Sequence, residues 1–176
     1  MDEARGQAAD DAMMTRIGQV IMLHRGGDRE EARNRFALLW EEIGEDGDPL
    51  HRCTLAHYMA DTQDDPADEL MWDLLALAAA DALTDERTLR HPGAPAVRAF
   101  YPSLHLNLAA DYVKLGQEEA AGSQLAMARQ ASDALGEDPY SEGVRSAIER
   151  LALRLGEAAG GASRRQAGGE AAPPQG

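Results

Sequence analysis

The chain has 176 residues, of which 44% are apolar and only 5% aromatic, and 31 acidic side chains face 17 basic ones for a formal charge of −14. That length and apolar share suit one folded domain with a true core. The negative field disfavours nucleic acid and anionic membrane.

Ala and Leu dominate the apolar fraction, while Val, Ile and aromatics are few. This bias favours helix over sheet. No run reaches the roughly 18 apolar residues of a membrane span. Met1 to Arg5 is acidic and lacks the apolar centre of a signal segment. Cys53 is the lone cysteine, so no internal disulfide forms. We therefore expect a cytoplasmic protein with no cofactor.

Taken in chain order, the spacing predicts helices over 10–25, 28–43, 49–62, 66–88, 96–115, 117–135 and 139–156. Three starts carry Asp-Pro: Asp48-Pro49, Asp65-Pro66 and Asp138-Pro139. The Asp carboxylate accepts a free backbone N–H, and Pro suits the next position, where an N–H has no partner. Glycines mark the stops at Gly26-Gly27, Gly44, Gly116, Gly136 and Gly156. Stripes such as Phe36, Leu39, Trp40 and Ile43, or Val144, Ile148, Leu151 and Leu155, give each helix an apolar face. Trp40, Trp72 and Phe36 are read as packing residues. No period-2 run appears, so no sheet is expected. Residues 1–9 are expected to be frayed. Residues 157–176, rich in Gly, Ala, Arg, Gln and Pro, are expected to be disordered.

A repeat runs through the helices. Leu55-Ala56 with Met59 matches Leu108-Ala109 with Tyr112. The stretch Leu104 to Ala131 resembles a tetratricopeptide repeat (TPR), with Leu108, Ala109, Tyr112, Gly116, Ala121, Leu125 and Ala128 in the family's places. His105 stands where the family usually has Trp. Arg16 to Gly44 is a weaker match through Leu23, Gly27, Ala32, Phe36 and Leu39, with Val20 in the small-residue place. Leu50 to Ala80 matches through Leu55, Ala56, Met59, Trp72 and Leu75, but its turn lacks Gly. The interval from Val20 to Ala56 is close to the family period of about 34 residues. The interval to Ala109 is longer, with an insert at about 82–101 that carries Arg87, Arg90, His91 and Arg98. The resemblance implies an all-α fold: a right-handed stack of about three antiparallel helix pairs over 10–156, closed by the last helix as a cap.

The resemblance also implies a groove lined by the first helix of each pair, where family members hold peptides or protein segments. By repeat position, His24, Arg25, Cys53, His57, Asp61, Asn107 and Lys114 face that groove, and Arg98 joins them from the insert. The family's carboxylate clamp is absent, because Ile17 and Ile21 hold its early positions. The expected function is a non-catalytic protein-interaction module whose partner is a protein or peptide, with basic character suited to the acidic chain. An N-terminal apolar face lined by Met14, Ile17 and Ile21 offers a route to a homodimer.

Cys53, His57 and Asp61 fall at i, i+4, i+8, and their side chains are of types that bind zinc. No His-Glu-x-x-His or Cys-x-x-Cys pair accompanies them, so they are weak metal candidates and no metal is assigned. They motivate an alternative: a regulatory or sensor protein that binds a small molecule or metal near Cys53 and His57. No Gly-rich phosphate loop or nucleophile elbow exists, and no enzyme is expected.

Overall fold

The structure, a computed structural model, describes residues 2–84 and 94–168, and their side chains over 5–83 and 98–156. Among the described residues it is all-helical, with no strand. Seven helices follow one another: α1 (Asp2–Arg25), α2 (Arg29–Ile43), α3 (Pro49–Ala60), α4 (Pro66–Thr84), α5 (Ala94–Lys114), α6 (Glu118–Ser132) and α7 (Pro139–Gly168). No described helix is long and apolar enough to cross a membrane.

The Asp-Pro starts form as their chemistry requires. Asp48 accepts from the Leu50 and His51 backbone N–H groups at 2.8 and 3.2 Å. Asp65 accepts from Ala67 N at 2.7 Å. Asp138 accepts from Tyr140 N and Ser141 N at 3.0 and 3.1 Å, and from the Ser141 hydroxyl at 2.6 Å.

Two turns share one construction. Between α1 and α2, Gly27 has φ +97°, and Asp28 N donates back to Leu23 O at 3.3 Å. Between α5 and α6, Gly116 has φ +70°, and Gln117 N donates back to Tyr112 O at 2.8 Å. Each is a glycine-closed helix end with a bond spanning five residues. Each then opens a helix whose Ala, Ala32 or Ala121, is fully buried. The α3–α4 turn, which lacks Gly, closes differently. Thr62 N and Gln63 N donate to Met59 O and Ala60 O, and the buried Thr62 hydroxyl also donates to Met59 O at 2.7 Å. Arg29 and Arg33 of α2 hold Asp64 of this turn at 3.0 and 2.9 Å.

Each helix packs on the next in sequence, and α1 also adjoins α3, α3 adjoins α5, and α5 adjoins α7. This pattern is consistent with a helical stack. The core runs along it as three clusters. Ile17, Val20, Phe36, Leu39, Leu55 and Met59 join α1, α2 and α3. Cys53, Ala56, Ala76, Ala80, Leu83 and Leu104 join α3, α4 and α5. Ala109, Leu125, Ala128, Val144, Ile148 and Leu151 join α5, α6 and α7. Trp40 and Trp72 meet edge to face with centroids 5.1 Å apart, linking the first two clusters. Small Ala side chains let the helices approach, and the larger residues fill the gaps between them.

Three expectations are corrected: the stop at Gly156, the free face at Ile17 and the groove placement of Cys53. Helix α1 takes in residues 2–9. The segment 157–168 is helical too, because α7 continues through Gly156 to Gly168. A glycine inside a helix costs only about 1 kcal/mol relative to Ala, and the surrounding Ala, Glu, Arg and Gln are good helix formers. Residues 169–176 lie outside the described residues. Ile17 does not line a free face: it is fully buried among Val20, Phe36 and Leu55. Cys53 does not face a groove, for it is buried in the central cluster. Of the insert, Arg87, Arg90, His91 and Pro92 lie outside the described residues, while Pro95 sits in the first turn of α5.

Candidate functional site

The odd-numbered helices adjoin one another in series; among the described residues the even-numbered ones do not. Two features lie along that series. One is polar and partly enclosed. The other is an aromatic cavity.

Three helices and their ends contribute residues one turn apart to the polar cluster: His57 from α3 and Asp61 from its C-cap, Glu69 and Asp73 from α4, and Asn107 and Asp111 from α5, with Lys114 a further turn along. Spacing of i, i+4 places such residues on one helix face. His57 Nδ1 lies 3.8 Å from Asp73 Oδ1 and 3.5 Å from Asn107 Nδ2. Lys114 Nζ donates to both oxygens of Glu69 at 2.6 Å and stands 3.6 Å from Asp111 Oδ1.

Asp73 and Asp111 are each only 1% exposed. Neither oxygen of Asp73, nor Oδ2 of Asp111, has a hydrogen-bond donor among the described residues. Burial pushes the Asp111 carboxyl up from its ordinary value to about 8, with the neighbouring Asp73 charge and hydrogen bond adding to the rise, then Glu69, while Lys114 opposes. Two enclosed carboxyls in contact do not both ionise readily. A proton kept on Asp111 supplies the donor that Asp73 lacks. Asp61, exposed at the end of α3, is also raised. Desolvation leads, His57 and His24 oppose it, and Asp73 and Glu69 add to it.

The cavity has a volume of about 400 Å³ and is lined by His57, Tyr58, Ala99, Phe100, Ser103 and Tyr140. These residues come from α3, α5 and α7. The His57 ring meets Tyr58 and Phe100 edge to face, at 5.1 and 5.8 Å. Ser103 Oγ and the Tyr140 hydroxyl, both lining the cavity, are 2.6 Å apart, which ties α7 to α5.

Of the sequence-predicted residues, His57, Asp61, Asn107 and Lys114 come together here. His24 is half-buried at the end of α1 and acts on Asp61 electrostatically. Arg25 and Arg98 are exposed and are not among the side chains that meet in the cluster. Cys53 packs instead in the central apolar cluster. It is 1% exposed, and burial, with a contribution from Asp81, pushes its thiol up to about 12. The thiol therefore stays protonated, unlike a ligand or nucleophile. Among the described residues no three His, Cys, Asp or Glu side chains are grouped to hold a metal ion.

Sequence reasoning missed Asp73, Asp111, Phe100 and Tyr140. Asp73 carries a usable signal, as the single charge in the apolar run Leu70–Ala80. An acid is almost never fully buried unless paired, so a lone one inside an apolar helical run points to a partner elsewhere in the fold.

No protein-family model, curated protein or solved structure matches the chain.

Proposed function

We propose that the chain is a TPR-like, non-catalytic interaction module that binds a peptide or protein segment along the side where α1, α3, α5 and α7 adjoin. In this reading the helices pair as α1–α2, α3–α4 and α5–α6 in a right-handed stack, and α7 is the cap. The shared turn at Gly27 and Gly116 supports the pairing. So does the burial of Leu108, Ala109, Ala121, Leu125 and Ala128, the residues that carry the family resemblance.

One observation carries the functional reading. The aromatic cavity is lined by side chains of α3, α5 and α7, and in such a stack the odd-numbered helices are the ones that line the groove. Crosslinking followed by pull-down tests it. The wild-type chain is expected to enrich a partner that the His57→Ala, Asn107→Ala double variant loses. Equal recovery by both chains would refute the groove.

A second reading draws on the same cavity. Its volume of about 400 Å³ lies in the range of small-molecule sites, so a regulator that takes a small apolar ligand beside His57 is the alternative. A ligand screen by thermal shift separates the two: a compound that raises the melting point by several degrees favours the regulator. The buried Cys53 thiol disfavours the metal version of this alternative.

A further inference from the structure

The aromatic cavity and the acidic cluster are distinct features, yet one side chain belongs to both. His57 lines the cavity beside Tyr58 and Phe100. The same imidazole holds its Nδ1 3.8 Å from Asp73 Oδ1. A segment that fills the cavity therefore passes within one side chain's reach of the acids.

The acids are in excess. Asp61, Glu69, Asp73 and Asp111 share one resident lysine, Lys114, whose short bonds go to Glu69. His24 and His57 are the other titratable groups that face Asp61. One proton held between Asp73 and Asp111 still leaves the cluster negative. Asp73 is an independent sign of unmet demand: it is enclosed, and the single proton on Asp111 can serve only one of its two oxygens, which have no other donor among the described residues. Asp61 is the exposed member through which a cation would enter this field.

Resting on the groove reading above, we propose that the site recognises a segment with a bulky apolar residue next to, or two positions from, an arginine or lysine. The apolar side chain fills the cavity between α3, α5 and α7. The guanidinium or ammonium group sits at Asp61, above Glu69 and the buried acids. Aromatic walls suit a large apolar side chain, and the carboxylate field selects the sign of its neighbour. The close spacing of the two residues follows from the shared imidazole.

A displayed library of random dodecapeptides, panned against the full-length chain, tests this. Enriched peptides are expected to share a bulky apolar residue within two positions of Arg or Lys. Calorimetry with one such synthetic peptide should then show roughly tenfold weaker binding to Asp61→Lys. Replacing the peptide's basic residue by Glu should restore part of that loss with the Asp61→Lys chain alone. Tyr140→Ala should also weaken binding; Tyr140 is 51% exposed, so this variant is expected to fold, and circular dichroism checks both chains. Acidic or purely apolar consensus peptides, or binding unchanged in both variants, overturn the inference and leave the groove standing. If nothing is enriched, the groove reading itself fails, and the inference with it.

Discussion

Asp73 of α4 and Asp111 of α5 enclose two interacting carboxyls between their helices, and the nearest lysine gives its short bonds elsewhere, to Glu69. The pair is stable as a carboxyl and a carboxylate, and strained when both are charged.

A dependence of stability on pH follows. The Asp111 carboxyl titrates near 8 in the folded chain, against an ordinary value of 3.8. Between those values the folded chain holds a proton that the unfolded chain has lost, so this group's contribution to stability falls as pH rises across the window. Asp111→Asn keeps the shape and a donor while removing the ionisation. Its stability relative to wild type should rise with pH by up to about 1.4 kcal/mol per unit until near pH 8 and then level off, so the difference is larger at pH 9 than at pH 5. Thermal melts of both chains from pH 5 to 9 check this. The comparison cancels the general repulsion of a chain with formal charge −14.

The shared turn makes a second prediction. Gly27 and Gly116 both adopt positive φ, with open space where a Cβ would stand. Alanine at either position therefore pays for backbone conformation and not for a clash, at about 1–2 kcal/mol. Gly27→Ala and Gly116→Ala should lower stability by similar amounts in urea unfolding. A neutral result at one site would break the equivalence of the two turns.

These turns also show what the sequence made legible. Gly27 and Gly116 signal their stops because only glycine adopts that conformation cheaply, and Asp48, Asp65 and Asp138 signal starts because a carboxylate beside Pro has one good use there. Such signals are local. The direction of Cys53 is not. Residues spaced by four drift by about 40° around a helix, so Cys53 and Asp61 differ by about 80°. His57 lies between them, half-buried at the edge of the core. The first residue sinks into the central cluster and the last stays exposed, although the three share a stripe on paper. Asp73 stands out in its apolar run, but its partner is not legible there: Asp111 is distant in sequence and adjacent only after α4 and α5 pack.

Burial of Cys53 predicts inertness. Its thiol is 1% exposed and titrates near 12, so a thiol reagent at neutral pH should modify the native chain only through unfolding. Labelling with and without denaturant, followed by mass spectrometry, checks this. Rapid native labelling would contradict the packing of the central cluster and revive Cys53 as a ligand.

In the proposed function the odd-numbered helices form the binding side. Backbone amide shifts of the isotope-labelled chain, recorded with and without its captured partner, test it most directly. Shifts are expected to cluster around His57 of α3 and Asp61 at its C-cap, Phe100 and Asn107 of α5, and Tyr140 of α7. Shifts confined to the outward positions of α2, α4 and α6, such as Leu38, Leu74 and Met127, would contradict it.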